Sequence, residues 1–209
     1  EVYHATDFDR HVTQKTGKPF PQAIGDVDPE VLKQLAQVYV ENLKTSANQS
    51  PRITDKLPHN FLRVGLLAAL MPRAKIIHCV RDPMDTCLSI FAHFFSTAHG
   101  YGSDLKELGQ YYRLYERLMQ DWEARFPGCM HRISYEDLVA DHEREINRLL
   151  EYCGLPFEPG CLRFHETVRA VNTPSAAQVR QPLYQSAVSR WKRYETHLRP
   201  LHTVLAERD

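Results

Sequence analysis

The chain has 209 residues, 43% of them hydrophobic and 25% charged, with 26 basic and 26 acidic side chains. That composition belongs to an ordinary globular domain with a real core, and it excludes disordered and fibrous classes. A formal charge of zero gives no general attraction to nucleic acid or to an anionic membrane, and no apolar run reaches the length of a membrane span.

Taken in chain order, residues 1–27 carry scattered charge, Pro19, Pro21, Gly17 and Gly25, and read as loop with a short helix around 5–15. Asp28-Pro29 starts a helix to about Ala47, with Val31, Leu35, Val38 and Leu43 as its apolar stripe. Arg52–Asp55 is a short strand candidate, and Phe61–Met71 an apolar helix stopped by Pro72. Lys75–Val80, rich in β-branched residues, is the next strand, and this β-α-β alternation predicts a parallel sheet. Asp104–Arg125 is a long amphipathic helix with Leu108, Tyr111, Tyr115, Leu118 and Trp122 on its packing side. Met130–Tyr135 is a third strand candidate, followed by a helical turn at EDLV. His142–Cys153 is a helix with Ile146, Leu149 and Leu150 facing inward and Gly154 as its C-cap. Residues 166–185 read as irregular, and Ala187–Leu205 as helix broken near Pro200. No repeat or second domain is visible, so residues 1–209 are expected to form a single domain.

Chemistry concentrates in KIIHCVRDPMDTCLSIFAHFF, residues 75–95. The strand runs into Arg81. Asp82 then occupies an N-cap, Pro83 the first helical position, and Asp85 lies three residues after the cap. The free amides of such a helix start attract anions. Arg81 adds a planar, permanently charged fork suited to phosphate, and Ser89 a hydroxyl two turns along. On these residues alone, a phosphate ligand and an ion-paired surface arginine are equally good readings of Arg81. Lys56 reads by itself as half of a surface pair with Asp55, and Tyr135 as a strand aromatic.

Other constellations fail. Eleven histidines form no HxxxH or HxH spacing and no Cys/His set, so no metal is expected. No GxSxG elbow is present, and Gly17-Lys18 does not sit in a Walker-type loop. The cluster Arg190, Lys192, Arg193 is too short to make a nucleic-acid surface in a neutral chain. Five cysteines without a CxxC pair, and no visible signal peptide, lead to the expectation of reduced thiols in a cytoplasmic protein.

Four stretches together resemble the sulfotransferases that use 3′-phosphoadenosine 5′-phosphosulfate (PAPS), in their bacterial and tyrosylprotein-type branch. They are TDKLPHNF (54–61), VRDPMDTCLS (80–89), ISYEDLV (133–139) and SAAQVRQPLYQSAVSRWKRYETHL (175–198), in the family's order. The resemblance implies an α/β fold with a P-loop-nucleotidase-like parallel sheet flanked by helices. It implies sulfuryl transfer from PAPS to a hydroxyl acceptor on a tyrosine peptide, a carbohydrate or a small molecule, with adenosine 3′,5′-bisphosphate as product and no metal. Members of the family open with a strand and a PRSGT-type phosphate loop, for which this sequence has no counterpart. An N-terminally truncated domain is therefore expected.

By the same resemblance, Arg81 and Ser89 match the pair that grips the donor's 3′-phosphate, and Tyr135 a tyrosine that contacts the nucleotide. Lys56 matches the lysine at the bridging and sulfuryl oxygens. Ser175 matches a serine that stabilises the transferring group, and Arg190 stands where tyrosylprotein enzymes carry a lysine on the donor phosphate. Gln178, Val179 and Arg180 fall in the loop that closes over the nucleotide. Glu1 is the residue here that could take the place of the family's catalytic glutamate. The competing class is a sulfotransferase-like module without turnover, serving nucleotide binding or assembly; a nucleotide kinase relative on the same sheet is the third, separated by its indifference to a 3′-phosphate.

Overall fold

A computed structural model describes residues 6–46, 50–93, 97–167 and 178–207. The chain folds as two compact units, residues 1–74 and 75–209.

In the first unit, α1 (Thr6–Thr16) and α2 (Pro29–Ser46) form where Pro29 at a helix start and the spacing of apolar residues require them. Val12, Ala23 and Val27 make one buried cluster, and Ala36 and Tyr39 make another with Leu35, Leu43 and Leu66. Val38, expected on the apolar stripe, is 52% exposed. Two residues of helix separate it by about 200° from Ala36, so the face that buries Ala36 and Tyr39 turns Val38 to water. Arg63 is buried and forks onto the Asp9 carboxylate, its Nη1 also donating to the His59 carbonyl at 3.2 Å.

Two expectations change here. The predicted helix over Phe61–Met71 is a 3-10 segment, Pro58–Arg63, followed by α3 (Val64–Leu70), because Arg63 leaves helical geometry (φ −118°, ψ 5°). The strand candidate Arg52–Asp55 joins no ladder among the described residues. Ile53, Asp55 and Leu57 are half-buried while Arg52, Thr54 and Lys56 are exposed, the period-two pattern of extended chain. Asp55 spends its Oδ2 on the Tyr39 hydroxyl at 2.6 Å. Local sequence produces extension, but a strand also needs a partner edge.

The second unit is built on β1 (Ile76–Val80) and β2 (Met130–Ser134), parallel and paired from Ile76–Met130 through Val80–Ser134. Between them run α4 (Pro83–Phe91), a 3-10 segment at Thr97–Ser103, and α5 (Leu105–Arg125), whose N-cap Asp104 accepts from the Lys106 and Glu107 amides. The helices α6 (Tyr135–Ala140) and α7 (His142–Cys153) follow, and Gly154 closes α7 in the left-handed conformation (φ 65°), which a residue without a Cβ adopts free of clash. The predicted helix Ala187–Leu205 is instead two 3-10 turns, Gln185–Ala187 and Arg190–Tyr194, and α8 (Arg199–Ala206). Pro200 opens α8 rather than breaking a longer helix, since a missing amide costs nothing in the first turn.

The core joins α4, α5 and α8 through Met84, Cys87, Leu88, Leu108, Tyr112, Leu198 and Leu201. The buried face of α5 contains the expected Leu108 together with Tyr112 and Met119, and the expected Tyr115 packs against the same core. Tyr111 stacks on Tyr101 instead, with ring centroids 3.9 Å apart. α8 approaches α5 closely here: a Cβ on Gly109 would lie 3.0 Å from Val204 Cγ1 and 3.2 Å from Leu201 Cδ1. Gly109→Leu should therefore destabilise the protein by about 1–3 kcal/mol through overpacking, read as a lowered urea midpoint. An unchanged midpoint would show that α5 and α8 can separate freely.

Candidate functional site

The end of β1 is tied to the end of β2 by polar groups that the turn sequence supplies. Asp82 caps α4 by accepting the Asp85 amide at 2.9 Å, and Pro83 presets the first turn. The Asp82 amide donates to Glu136 Oε1 at 2.9 Å, and the Ser134 hydroxyl donates to Glu136 Oε2 at 2.9 Å. Burial pushes the Glu136 carboxyl up. The amides of Asp82 and of Glu136 itself, the Ser134 hydroxyl and the charge of Arg81 outweigh that and hold it below the ordinary glutamate value.

Arg81 sits at this junction, its side chain one-quarter exposed. Its guanidinium lies over the Tyr135 ring, 5.1 Å from the centroid, and Nη2 donates to the Ala187 carbonyl at 2.5 Å. The Tyr135 hydroxyl donates to the Tyr184 carbonyl at 3.2 Å, so two motif side chains hold the backbone of one C-terminal segment. Burial raises the Tyr135 phenol, with Tyr184 adding to the effect and Arg81 opposing it. Asp85 is 1% exposed, and its Oδ1 accepts the Trp191 amide at 2.8 Å.

Of the expected site residues, Arg81 and Tyr135 are in contact. Ser89 lies half-buried on α4, two turns beyond Arg81. Arg190 is exposed at the start of its 3-10 turn, one residue before the Trp191 amide that Asp85 holds. Lys56 is exposed in the other unit. Glu1 and Ser175 lie outside the described residues. Sequence reasoning missed the tethering roles of Asp85 and Glu136. Nothing local announces that Asp85 reaches the Trp191 amide or that Glu136 reaches the Asp82 amide.

A cleft of about 760 Å³ opens beside the junction between β1, β2 and α5, lined by residues including His78, Tyr115, Glu116, Glu123 and Arg132. Arg81 and Arg132 stand there against Asp82, Glu116, Glu123 and Glu136. That balance is acidic, which makes the body of the cleft a poor place for a phosphate. Burial raises the Glu116 carboxyl, with Arg113 in partial opposition. His78 Nε2 and the Tyr115 hydroxyl share a hydrogen bond, and burial followed by Arg132 lowers the imidazole's pKa, with Glu123 in partial opposition.

A depressed histidine favours the neutral form in the folded state. Its contribution to stability is then complete above the unfolded value of about 6.5 and disappears as pH falls through the lower folded value. Wild type should lose more of its urea midpoint than His78→Gln between pH 7.5 and pH 5. Equal losses would show that His78 is not the group responsible.

A parallel strand pair leading into an arginine, a proline-started helix and a second motif at the neighbouring strand end defines a mostly helical α/β protein with its polar contacts gathered at the strand ends. Residues 4–159 match the model described as "Sulfotransferase family", and the chain belongs to that family. The fourth sequence stretch, 175–198, lies beyond the matched residues. An uncharacterized protein of Aquifex aeolicus is 38% identical over 92% of this chain and 26% of its own length. The omega-hydroxy-beta-dihydromenaquinone-9 sulfotransferase Stf3 of Mycobacterium tuberculosis is 34% identical over 57% of this chain and 31% of its own. A protein-tyrosine sulfotransferase of Drosophila melanogaster is 26% identical over 75% of this chain and 33% of its own. The chain thus spans about a quarter to a third of the length of these relatives. In fold it resembles the sulfotransferase domain from the curacin biosynthetic pathway, with a TM-score of 0.61 at 24% identity, over 76% of this chain and 60% of that one. Among the described residues no helix is long and apolar enough to cross a membrane.

Proposed function

We propose that this chain carries the donor-binding part of a PAPS-dependent sulfotransferase, one domain on a P-loop-nucleotidase-like sheet, that transfers sulfuryl to a hydroxyl acceptor. The observation that carries the reading is the placement of Arg81. It leaves a parallel strand beside a capped helix start, flanked by Tyr135, and its Nε is buried without a hydrogen-bond partner among the described residues. An orphaned guanidinium N–H next to an aromatic face suits an adenosine phosphate: the fork takes the oxygens and the ring offers a stacking surface.

In the reaction, the acceptor oxygen attacks sulfur in line as the bond from sulfur to the bridging oxygen breaks. Adenosine 3′,5′-bisphosphate leaves, and the acceptor proton passes to a base. Positioning and electrostatics dominate such transfers, by analogy with phosphoryl transfer. Arg81 and Ser89 would hold the 3′-phosphate, Arg190 a donor phosphate and Tyr135 the nucleotide. Lys56 would steady the leaving oxygen, Ser175 the transferring group, and Glu1 would take the proton. The relatives named for a menaquinone alcohol and for protein tyrosine support a hydroxyl acceptor.

The test is calorimetric binding of adenosine 3′,5′-bisphosphate against 5′-AMP at matched salt, on the whole protein. Clear preference for the bisphosphate is expected; equal affinity would overturn the reading in favour of a general adenine-nucleotide site. Lys56→Met should spare that binding and lower turnover, and unchanged turnover would return Lys56 to a surface role.

A further inference from the structure

Asp85 has no part in the donor contacts just described, yet it touches the elements that make them. It lies four residues before Ser89, one turn away on the same stripe of α4, and four residues after Arg81, which precedes the helix. It is 1% exposed. Oδ1 accepts the Trp191 amide, next in sequence to Arg190, at 2.8 Å. Oδ2 lies 3.8 Å from Arg81 Nη2 and has no hydrogen-bond partner among the described residues, and neither does Arg81 Nε.

A helix cap explains none of this: Asp82 caps α4 with its own side chain, and Asp85 takes part in the cap through its backbone amide alone. A buried carboxylate left half-satisfied is costly unless a charge lies beside it, and the adjacent charge is Arg81. The other arginine of the expected site is exposed on a turn entered through Ser189 in the left-handed conformation (φ 56°), a strained entry for a non-glycine residue. The hydrogen bond to Asp85 holds that turn against α4.

We propose that Asp85 is a positioning residue for the donor site: one carboxylate oxygen orients the Arg81 fork and the other fastens the Arg190 turn, so that both arginines face the same bound donor. The inference rests on the reading of Arg81 as a 3′-phosphate ligand. Arg81 Nη2 donates to the Ala187 carbonyl, so Asp85 and that carbonyl hold the guanidinium at one end and leave Nε for the phosphate.

Asp85→Asn is the informative change, because an amide oxygen can still accept the Trp191 amide while the charge facing Arg81 is lost. Binding of adenosine 3′,5′-bisphosphate should weaken about tenfold, and binding of 5′-AMP should stay unchanged. In an Arg81→Ala background the same substitution should have no further effect, since a positioning residue acts only through the group it positions. A purely structural role would instead lower both affinities together and would persist in the Arg81→Ala background. A urea midpoint for each variant separates misfolding from lost positioning. Weakening by Arg81→Ala together with wild-type affinity in Asp85→Asn would overturn the role of Asp85 alone. Wild-type affinity in Arg81→Ala would overturn the reading of Arg81 itself, and this inference with it.

Discussion

Leu201→Ala should lower the unfolding free energy by about 2–5 kcal/mol, the range for emptying a fully buried leucine site. Leu201 is 0% exposed and packs in the cluster that unites α4, α5 and α8. Gly109 of α5 lies against it so closely that little slack remains for its neighbours to refill the space. The cost should therefore fall in the upper part of the range, because a cavity that cannot collapse keeps its full penalty. Urea denaturation of wild type and variant measures it, and an unchanged slope would show that the denatured state is the same. A loss well under 1 kcal/mol would mean that α8 does not seal this core. The same helix follows the turn that carries Arg190, so the variant should also loosen the donor site.

Arg81→Ala should weaken adenosine 3′,5′-bisphosphate binding by about 1.5–3 kcal/mol, roughly ten- to 150-fold, the scale of a charged hydrogen bond. The Ala187 carbonyl takes Nη2 and leaves Nε without a partner among the described residues, so a phosphate on Nε gains a charged donor on a charged acceptor with that contact in place. Arg81→Lys keeps the charge and loses the planar fork, and should fall between wild type and alanine. Equal affinity of wild type and Arg81→Ala for the bisphosphate would remove Arg81 from the site. Its contact with Ala187 would then be structural only.

Much of the second unit was legible because its signals are local. Asp82 and Pro83 fix where α4 begins, Gly154 where α7 ends, and the β-branched run before Arg81 marks β1. In the first unit the same reasoning found extended chain at residues 52–55 without finding that it pairs with no strand among the described residues. The stripe expected on α5 holds at Leu108, which is buried, and at Tyr115, which packs against the core, while Tyr112 and Met119 add to the buried face where α8 comes close at Gly109. Pro200 was legible as a discontinuity; that it begins α8 depended on the 3-10 turns before it.

At the candidate site the division has the same cause. Arg81 and Ser89 stood out as candidates because a strand end and a helix start are short-range features and charge and hydroxyl chemistry travel with the residue, whereas Tyr135 was singled out through the family resemblance alone. That Arg81 would rest on Tyr135 and reach Ala187, 106 residues away in the chain, was decided by tertiary structure. So was the buried carboxylate of Asp85 taking an amide 106 residues on. The amino-acid sequence by itself determined family, the strand–arginine–helix unit and the chemistry on offer. Only the folded chain decided which groups share that chemistry, because contacts between distant residues depend on how helices pack and which polar groups burial leaves to find partners.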